Sequence, residues 1–173
     1  IRILDFSTII PGNYFYIDKT PFIKEWWDCG DSATLITRPR RFGKTLTMSM
    51  VEQFFSIDYA GRSDLFEHLA IWKEEKYREL QGTYPVISLS FARIKERDYE
   101  KTKQKMCEVL RNIYIKFCYI KDSEKLTDAD RAYYERMLEE NIKETDATSS
   151  LYQLSDFLYR YYGKKVIILL DEY

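Results

Sequence analysis

Thr34-Leu35-Ile36-Thr37-Arg38-Pro39-Arg40-Arg41-Phe42-Gly43-Lys44-Thr45 is the stretch on which the reading of this chain turns. Its last eight residues fit G-x-x-x-x-G-K-[ST], a loop that cradles phosphate between a strand and a helix, at every fixed position but the first. Arg38 stands where that glycine belongs, while Gly43-Lys44-Thr45 is intact. Residues 34–37 suit a short buried strand, and Met48, Val51, Phe54 and Phe55 recur at helical spacing after the loop. A Gly-Lys-[Ser/Thr] triplet alone arises by chance in roughly one chain of this length in ten. The flanking strand and helix therefore carry much of the weight.

Residue chemistry assigns roles within the loop. Backbone N–H groups from Arg41 to Thr45, with the start of the following helix, can surround phosphate oxygens. Gly43 admits a phosphate where a Cβ would collide. Lys44 can reach the β- and γ-phosphates as a mobile charge, and the Thr45 hydroxyl can join an Mg2+ shell. A helix dipole disfavours a first-turn cation, so Lys44 calls for an anionic partner. Arg38, Arg40, Arg41 and Lys44 place four cations within seven residues. A solvated basic turn is the plainer reading of such a cluster. Arg40 and Arg41 either contact phosphate or pair with acidic residues elsewhere. The candidate nucleotide-binding set is Arg38, Arg40, Arg41, Phe42, Gly43, Lys44, Thr45 and Leu46.

A second signal closes the chain. Val166-Ile167-Ile168-Leu169-Leu170 reads as a fully apolar strand running into Asp171-Glu172. Such a run followed by Asp-Glu arises by chance in roughly one chain of this length in a thousand. Ligands of open parallel sheets bind at the C-terminal strand edge, where both motifs are expected. Asp171 is expected to hold Mg2+ directly or through water, alongside Thr45. Glu172 is expected to polarise the attacking water, and with Lys44 it forms the candidate catalytic pair. The plainer readings are a strand-capping Asp171 and an exposed Glu172.

Bulk properties narrow the field. A chain of 173 residues is about one domain by length. Its 45% hydrophobic and 32% charged residues are ordinary for a globular protein, and fifteen Tyr and ten Phe favour a packed core over disorder. A net charge of −1 gives no general pull toward nucleic acid or an anionic membrane. Cys29, Cys107 and Cys118 fit no metal-ligand spacing and read as free thiols of a reducing compartment, so a cytoplasmic location is expected. No run approaches the roughly 18 apolar residues of a membrane span, and no signal peptide is visible. The chain opens on Ile1 and stops just after a motif, so it reads as a fragment of a longer protein.

Between the two motifs the periodicity predicts helices near 72–80, 98–119, 128–141 and 149–162, with a strand over 86–91. An earlier helix is framed by Thr20 as cap, Pro21 at its first position and Gly30 at its end. Strands separated by helices imply crossovers and a parallel sheet. The expected fold is α/β, a parallel sheet sandwiched by helices, with residues 1–33 as a helical lead-in and 34–173 as a partial nucleotide-binding domain.

Three segments together resemble the bacterial AAA-ATPase-like family of P-loop NTPases. They are Tyr16-Ile17-Asp18-Lys19-Thr20, the loop Thr37 to Thr45, and Leu169-Leu170-Asp171-Glu172-Tyr173. The resemblance covers essentially the whole chain and implies ATP and Mg2+ as ligands. It makes Arg38 the family's own usage, a variant Walker A loop whose entrance is stiffened because Pro39 keeps Arg38 extended. It also implies a C-terminal effector beyond Tyr173, often a PD-(D/E)XK-type nuclease domain. A further strand, the sensor residue and any arginine finger would lie there too. Asp18-Lys19 could help close over nucleotide or simply form a polar start to the next helix.

The implied function is ATP hydrolysis by the full-length protein that drives or gates the effector, with little turnover by these 173 residues alone. A homo-oligomer is one implied partner, and nucleic acid is a partner only through the full-length protein. The alternatives are a non-hydrolysing nucleotide switch and a nucleic-acid-binding module built on the arginine cluster. Retention of Lys44, Thr45, Asp171 and Glu172 favours hydrolysis over the switch, and the near-neutral charge disfavours the third reading.

Overall fold

The computed structural model describes residues 5–12, 14, 16–30 and 43–171, and the chain forms two compact units, Ile1–Val86 and Ile87–Tyr173. The expected strand at 34–37 and the expected domain boundary after residue 33 lie outside the described residues.

The first unit is organised round α3 (Lys44–Phe55), the helix that the apolar periodicity after the loop predicted. Its expected stripe is buried, and Thr47, Met50 and Gln53 are buried with it. Two shorter helices, α1 (Phe6–Ile9) and α2 (Pro21–Cys29), contribute aromatic rings to the same core. Phe6 stacks on Phe66 with centroids 5.1 Å apart, Phe54 meets Phe66 edge-on, and Trp27 stacks on Phe55 at 5.3 Å. Full burial of such a side chain contributes about 2–3 kcal/mol. Pro21 opens α2 and Gly30 ends it in a left-handed conformation, both as expected, but Thr20 makes no side-chain cap.

Residues after α3 fold into 3-10 turns at Ile57–Tyr59, Ser63–Leu65 and Ala70–Lys73, followed by the single-turn α4 (Glu75–Arg78). The continuous helix expected at 72–80 is interrupted because Glu74 is extended, with φ −111° and ψ 124°. Ser56 and Tyr84 then pair in a parallel bridge, in which the Ile57 N–H donates to the Tyr84 carbonyl at 3.0 Å. Gly82 makes this return possible. It has φ +70°, and a Cβ there would lie 2.6 Å from Ala60 Cα, so no other residue fits without displacing backbone.

In the second unit β1 (Val86–Ser90) and β2 (Ile167–Asp171) form a parallel two-stranded sheet. Three helices connect the strands: α5 (Tyr99–Lys116), α6 (Asp128–Met137) and α7 (Glu144–Tyr162). α5 starts at Asp98, whose carboxylate accepts the Glu100 N–H, and it gives way to a 3-10 turn at Cys118–Ile120. Thr127 and Asp130 form a reciprocal capping box at the start of α6. α7 begins five residues before the expected Ser149. Its first turn carries Glu144 and Asp146, which suit the helix dipole but give no apolar periodicity to read.

The core of this unit joins Ile87 and Leu89 of β1 to Leu110, Tyr114, Tyr134, Leu154, Phe157 and Leu158 of the helices. β2 departs from the expected fully buried strand. Ile167 and Leu169 are buried, whereas Ile168 and Leu170 are 44% and 38% exposed, the two-residue alternation of a sheet with one packed face. Met106 and Tyr161 are exposed. The result is a mixed α/β fold.

Two fully buried tyrosines cross-link the three helices. The Tyr114 hydroxyl donates to the Ser150 carbonyl at 2.6 Å, and the Tyr134 hydroxyl donates to the Tyr114 carbonyl at 2.5 Å. Burial pushes both phenols far above the ordinary tyrosine range. An acid whose pKa is raised by folding adds stability that is complete below its unfolded pKa and is lost as pH rises toward its folded pKa. Thermal stability of the wild type should therefore decline above about pH 10. Tyr114→Phe should cost about 1–2 kcal/mol at neutral pH and flatten that decline. An unchanged alkaline slope in the variant, followed by circular dichroism melts, would contradict this assignment.

Candidate functional site

α3 begins on Gly43, which adopts the left-handed conformation with φ 79° and ψ 20°. Its carbonyl accepts the Thr47 N–H at 2.8 Å, so the first helical bond is made by the loop glycine itself. Gly43 has no side chain with which to cap this end, and the first turn contains no acidic residue. Lys44 and Leu46 are half-buried on that turn and Thr45 is exposed. The chain thus brings Gly43, Lys44, Thr45 and Leu46 together at the positive end of a 12-residue helix. The other expected loop residues, Arg38, Arg40, Arg41 and Phe42, lie outside the described residues.

The segment Tyr16 to Thr20 reaches the same place from another part of the first unit. Asp18 accepts both the Thr20 N–H (2.9 Å) and the Thr20 hydroxyl (2.6 Å) on Oδ1, and the Ala70 N–H on Oδ2 at 2.8 Å. The buried Thr20 Oγ1 also accepts the Ile71 N–H at 3.2 Å. Thr20 therefore serves a long-range contact in place of the expected helix cap. Tyr16 completes the fixture: its hydroxyl accepts the Lys19 N–H at 3.3 Å and donates to Met50 Sδ of α3 at 3.4 Å. Lys19, held between these anchors, places its Nζ 2.9 Å from where a Cβ of Gly43 would stand. Asp18 is thus tied into the packing of the first unit, and the Lys19 side chain lies beside Gly43.

Asp171 ends β2 in the second unit and is half-buried. Its carbonyl accepts the Phe91 N–H at 2.8 Å, one residue beyond β1, so it stands at the C-terminal edge of the sheet. Glu172 lies outside the described residues. Among the described residues no group of three or more His, Cys, Asp or Glu could hold a metal ion, so an all-protein metal cage is absent there. A divalent ion held largely by phosphate needs only one or two protein ligands. The head of α3 carries features that suit an anion: a glycine at the cap position, a lysine and no carboxylate in the first turn.

Comparison with known proteins agrees with this chemistry. The family described as "Predicted AAA-ATPase" matches residues 1–173. A protein of Azotobacter chroococcum mcd 1, described as an uncharacterized protein in the vnfD 5' region, is 32% identical over 111 residues. That match takes in 64% of this chain and 20% of the relative, so the chain spans about a fifth of the relative's length. No solved structure matches the chain. The family implies nucleotide binding, with ATP as the ligand. Among the described residues no helix is long and apolar enough to cross a membrane.

Burial opposes ionisation of Asp18, but the bonds from Thr20 and Ala70, with the nearby Lys73 charge, outweigh it and hold the carboxyl below its ordinary range. A carboxyl depressed by folding contributes stability above its unfolded pKa, about 3.9, and loses it as pH falls through the folded pKa. Asp18→Asn should lower stability by about 1 kcal/mol at pH 7, the modest value fitting an exposed carboxylate. The gap from wild type should close as pH falls below about 4. A gap that persists at acid pH in thermal melts would show that the charge is immaterial.

Proposed function

Because the chain belongs to the AAA-ATPase-like family, we propose that it binds ATP with Mg2+ through Gly43-Lys44-Thr45 and that the full-length protein hydrolyses it. The observation that carries the reading is the head of α3, a left-handed glycine followed by lysine and threonine with no acid in the turn. Backbone N–H groups of the loop and of the first turn hold phosphate oxygens. Lys44 neutralises charge that develops on the transferred phosphoryl group. Arg38, Arg40, Arg41, Phe42 and Leu46 complete the loop by sequence position, with the arginines adding charge-assisted bonds to phosphate. Mg2+, when bound, would supply charge stabilisation to the phosphates. Thr45 and Asp171 are its protein ligands in this reading, and Glu172 orients the attacking water and takes its proton.

The Azotobacter relative is much longer than the chain. That supports a domain whose nucleotide cycle gates an attached effector, nuclease or otherwise. A cytoplasmic location and a homo-oligomer fit this reading.

Calorimetric titration with MgATP and steady-state turnover, using the full-length protein, test the assignment. Lys44→Ala should weaken ATP binding at least about tenfold, the loss of one charge-assisted contact. Glu172→Gln should bind normally and lose turnover by about 100-fold or more, the usual scale of a general base. Unchanged affinity in the lysine variant would sink the site. Tight binding with no wild-type turnover would make the protein a nucleotide switch, and affinity for single-stranded DNA in place of ATP would return the arginines to a nucleic-acid role.

A further inference from the structure

Three side-chain polar atoms among the described residues are buried without a hydrogen-bond partner: Thr47 Oγ1, Gln53 Oε1 and Arg160 Nε. The last two belong to side chains that bond through their other atoms, Gln53 to Asp5 and Ser49, and Arg160 to Lys125 and Asp130. Thr47 has no other polar atom in its side chain, and the residue is only 2% exposed. A hydroxyl kept from water without a partner is a cost to folding that valine, of the same shape, would avoid. The Thr47 N–H donates to the Gly43 carbonyl at 2.8 Å, at the head of α3. A helical side chain leans toward the helix N-terminus, over the turn that precedes it. The Thr47 hydroxyl therefore lies over Gly43 and Lys44.

We propose that Thr47 is a positioning residue of the ATP site, which orients the Gly43–Lys44 peptide that holds phosphate. The inference rests on the ATP reading of Gly43-Lys44-Thr45 and adds to it a residue outside the motif. The Gly43 carbonyl and the Lys44 N–H belong to one planar peptide unit. In the ATP reading that N–H is among the donors to phosphate oxygens. The carbonyl has two lone pairs, and the Thr47 N–H takes one of them. The other can accept the Thr47 hydroxyl, in the bond to the carbonyl four residues back that threonine makes in helices. Hydrogen bonds in a chain polarise one another. A phosphate that draws on the Lys44 N–H makes the Gly43 carbonyl a stronger acceptor, and the hydroxyl turns to it by rotation about χ1. Phosphate binding thus gives the buried hydroxyl a partner, and the hydroxyl in turn strengthens the donor.

A packing role for Thr47 predicts different behaviour, and two variants separate its methyl from its hydroxyl. Thr47→Val keeps the shape and removes the hydroxyl, whereas Thr47→Ser keeps the hydroxyl and removes the methyl. The full-length protein is titrated with MgATP, and melts are recorded without nucleotide. The positioning role predicts that Thr47→Val loses about fivefold in ATP affinity, the scale of one neutral hydrogen bond, with an unchanged or raised melting temperature. Thr47→Ser should melt lower, because it leaves a cavity in the core, yet bind within about twofold of wild type. Affinity that follows the methyl, or that stays within about twofold of wild type in Thr47→Val while Lys44→Ala loses binding, would overturn the role of Thr47 and leave the site standing. Failure of the wild type to bind MgATP would overturn both. If Thr47→Val does not fold, Thr47→Ala takes its place beside Thr47→Ser, from which it differs only by the hydroxyl, and equal affinities in that pair would overturn the role.

Discussion

Both oxygens of the Asp18 carboxylate are occupied, one by Thr20 and the other by the Ala70 N–H, and the first unit is arranged round that fixture. The contact joins residues 52 positions apart and aligns the approach to α2 with the 3-10 turn Ala70–Lys73. The aromatic core built on Phe6, Phe54, Phe55 and Phe66 contributes more free energy, at about 2–3 kcal/mol for each fully buried ring. Hydrophobic burial is non-directional, however, and would tolerate the segment shifted along the core. Hydrogen bonds worth about 1 kcal/mol each decide the register. They put the Tyr16 hydroxyl on Met50, the Thr20 hydroxyl on Ile71 and the Lys19 ammonium at Gly43.

The second unit solves a different problem. Among the described residues only β1 and β2 pair as strands, and α5, α6 and α7 supply most of the apolar surface of its core. Tyr114 and Tyr134 fit between them because each hydroxyl finds a backbone carbonyl, which turns a costly buried polar atom into a directional link. The sheet positions Asp171: the parallel pairing carries it to the C-terminal edge, beside the turn that leaves β1.

Local chemistry was the legible part of this chain. Pro21 and Gly30 marked helix ends that the structure keeps, and the stripe from Met48 to Phe55 located α3 at once. The Gly43-Lys44-Thr45 triplet marks the head of that helix. Contacts between distant residues were not legible. Thr20 looks like a helix cap from its neighbours, and only the turn at Ala70 explains why its hydroxyl points elsewhere. The run Val166 to Leu170 looks uniformly buried because all five residues are aliphatic, and composition alone cannot say that one sheet face is open. The family segment left Asp18-Lys19 with two readings, and the position of Lys19 beside Gly43 depends on Asp18 and Tyr16 meeting other elements.

The three free cysteines, inconspicuous in the chemistry above, give the chain a useful distribution of reactivity. Cys29 is exposed at the end of α2 in the first unit, Cys118 is exposed after α5 in the second, and Cys107 is only partly accessible. Each compact unit therefore presents one readily alkylated sulfur of its own. A donor and an acceptor dye attached at these native positions would turn the separation of the two units into an optical signal, without adding or removing a residue.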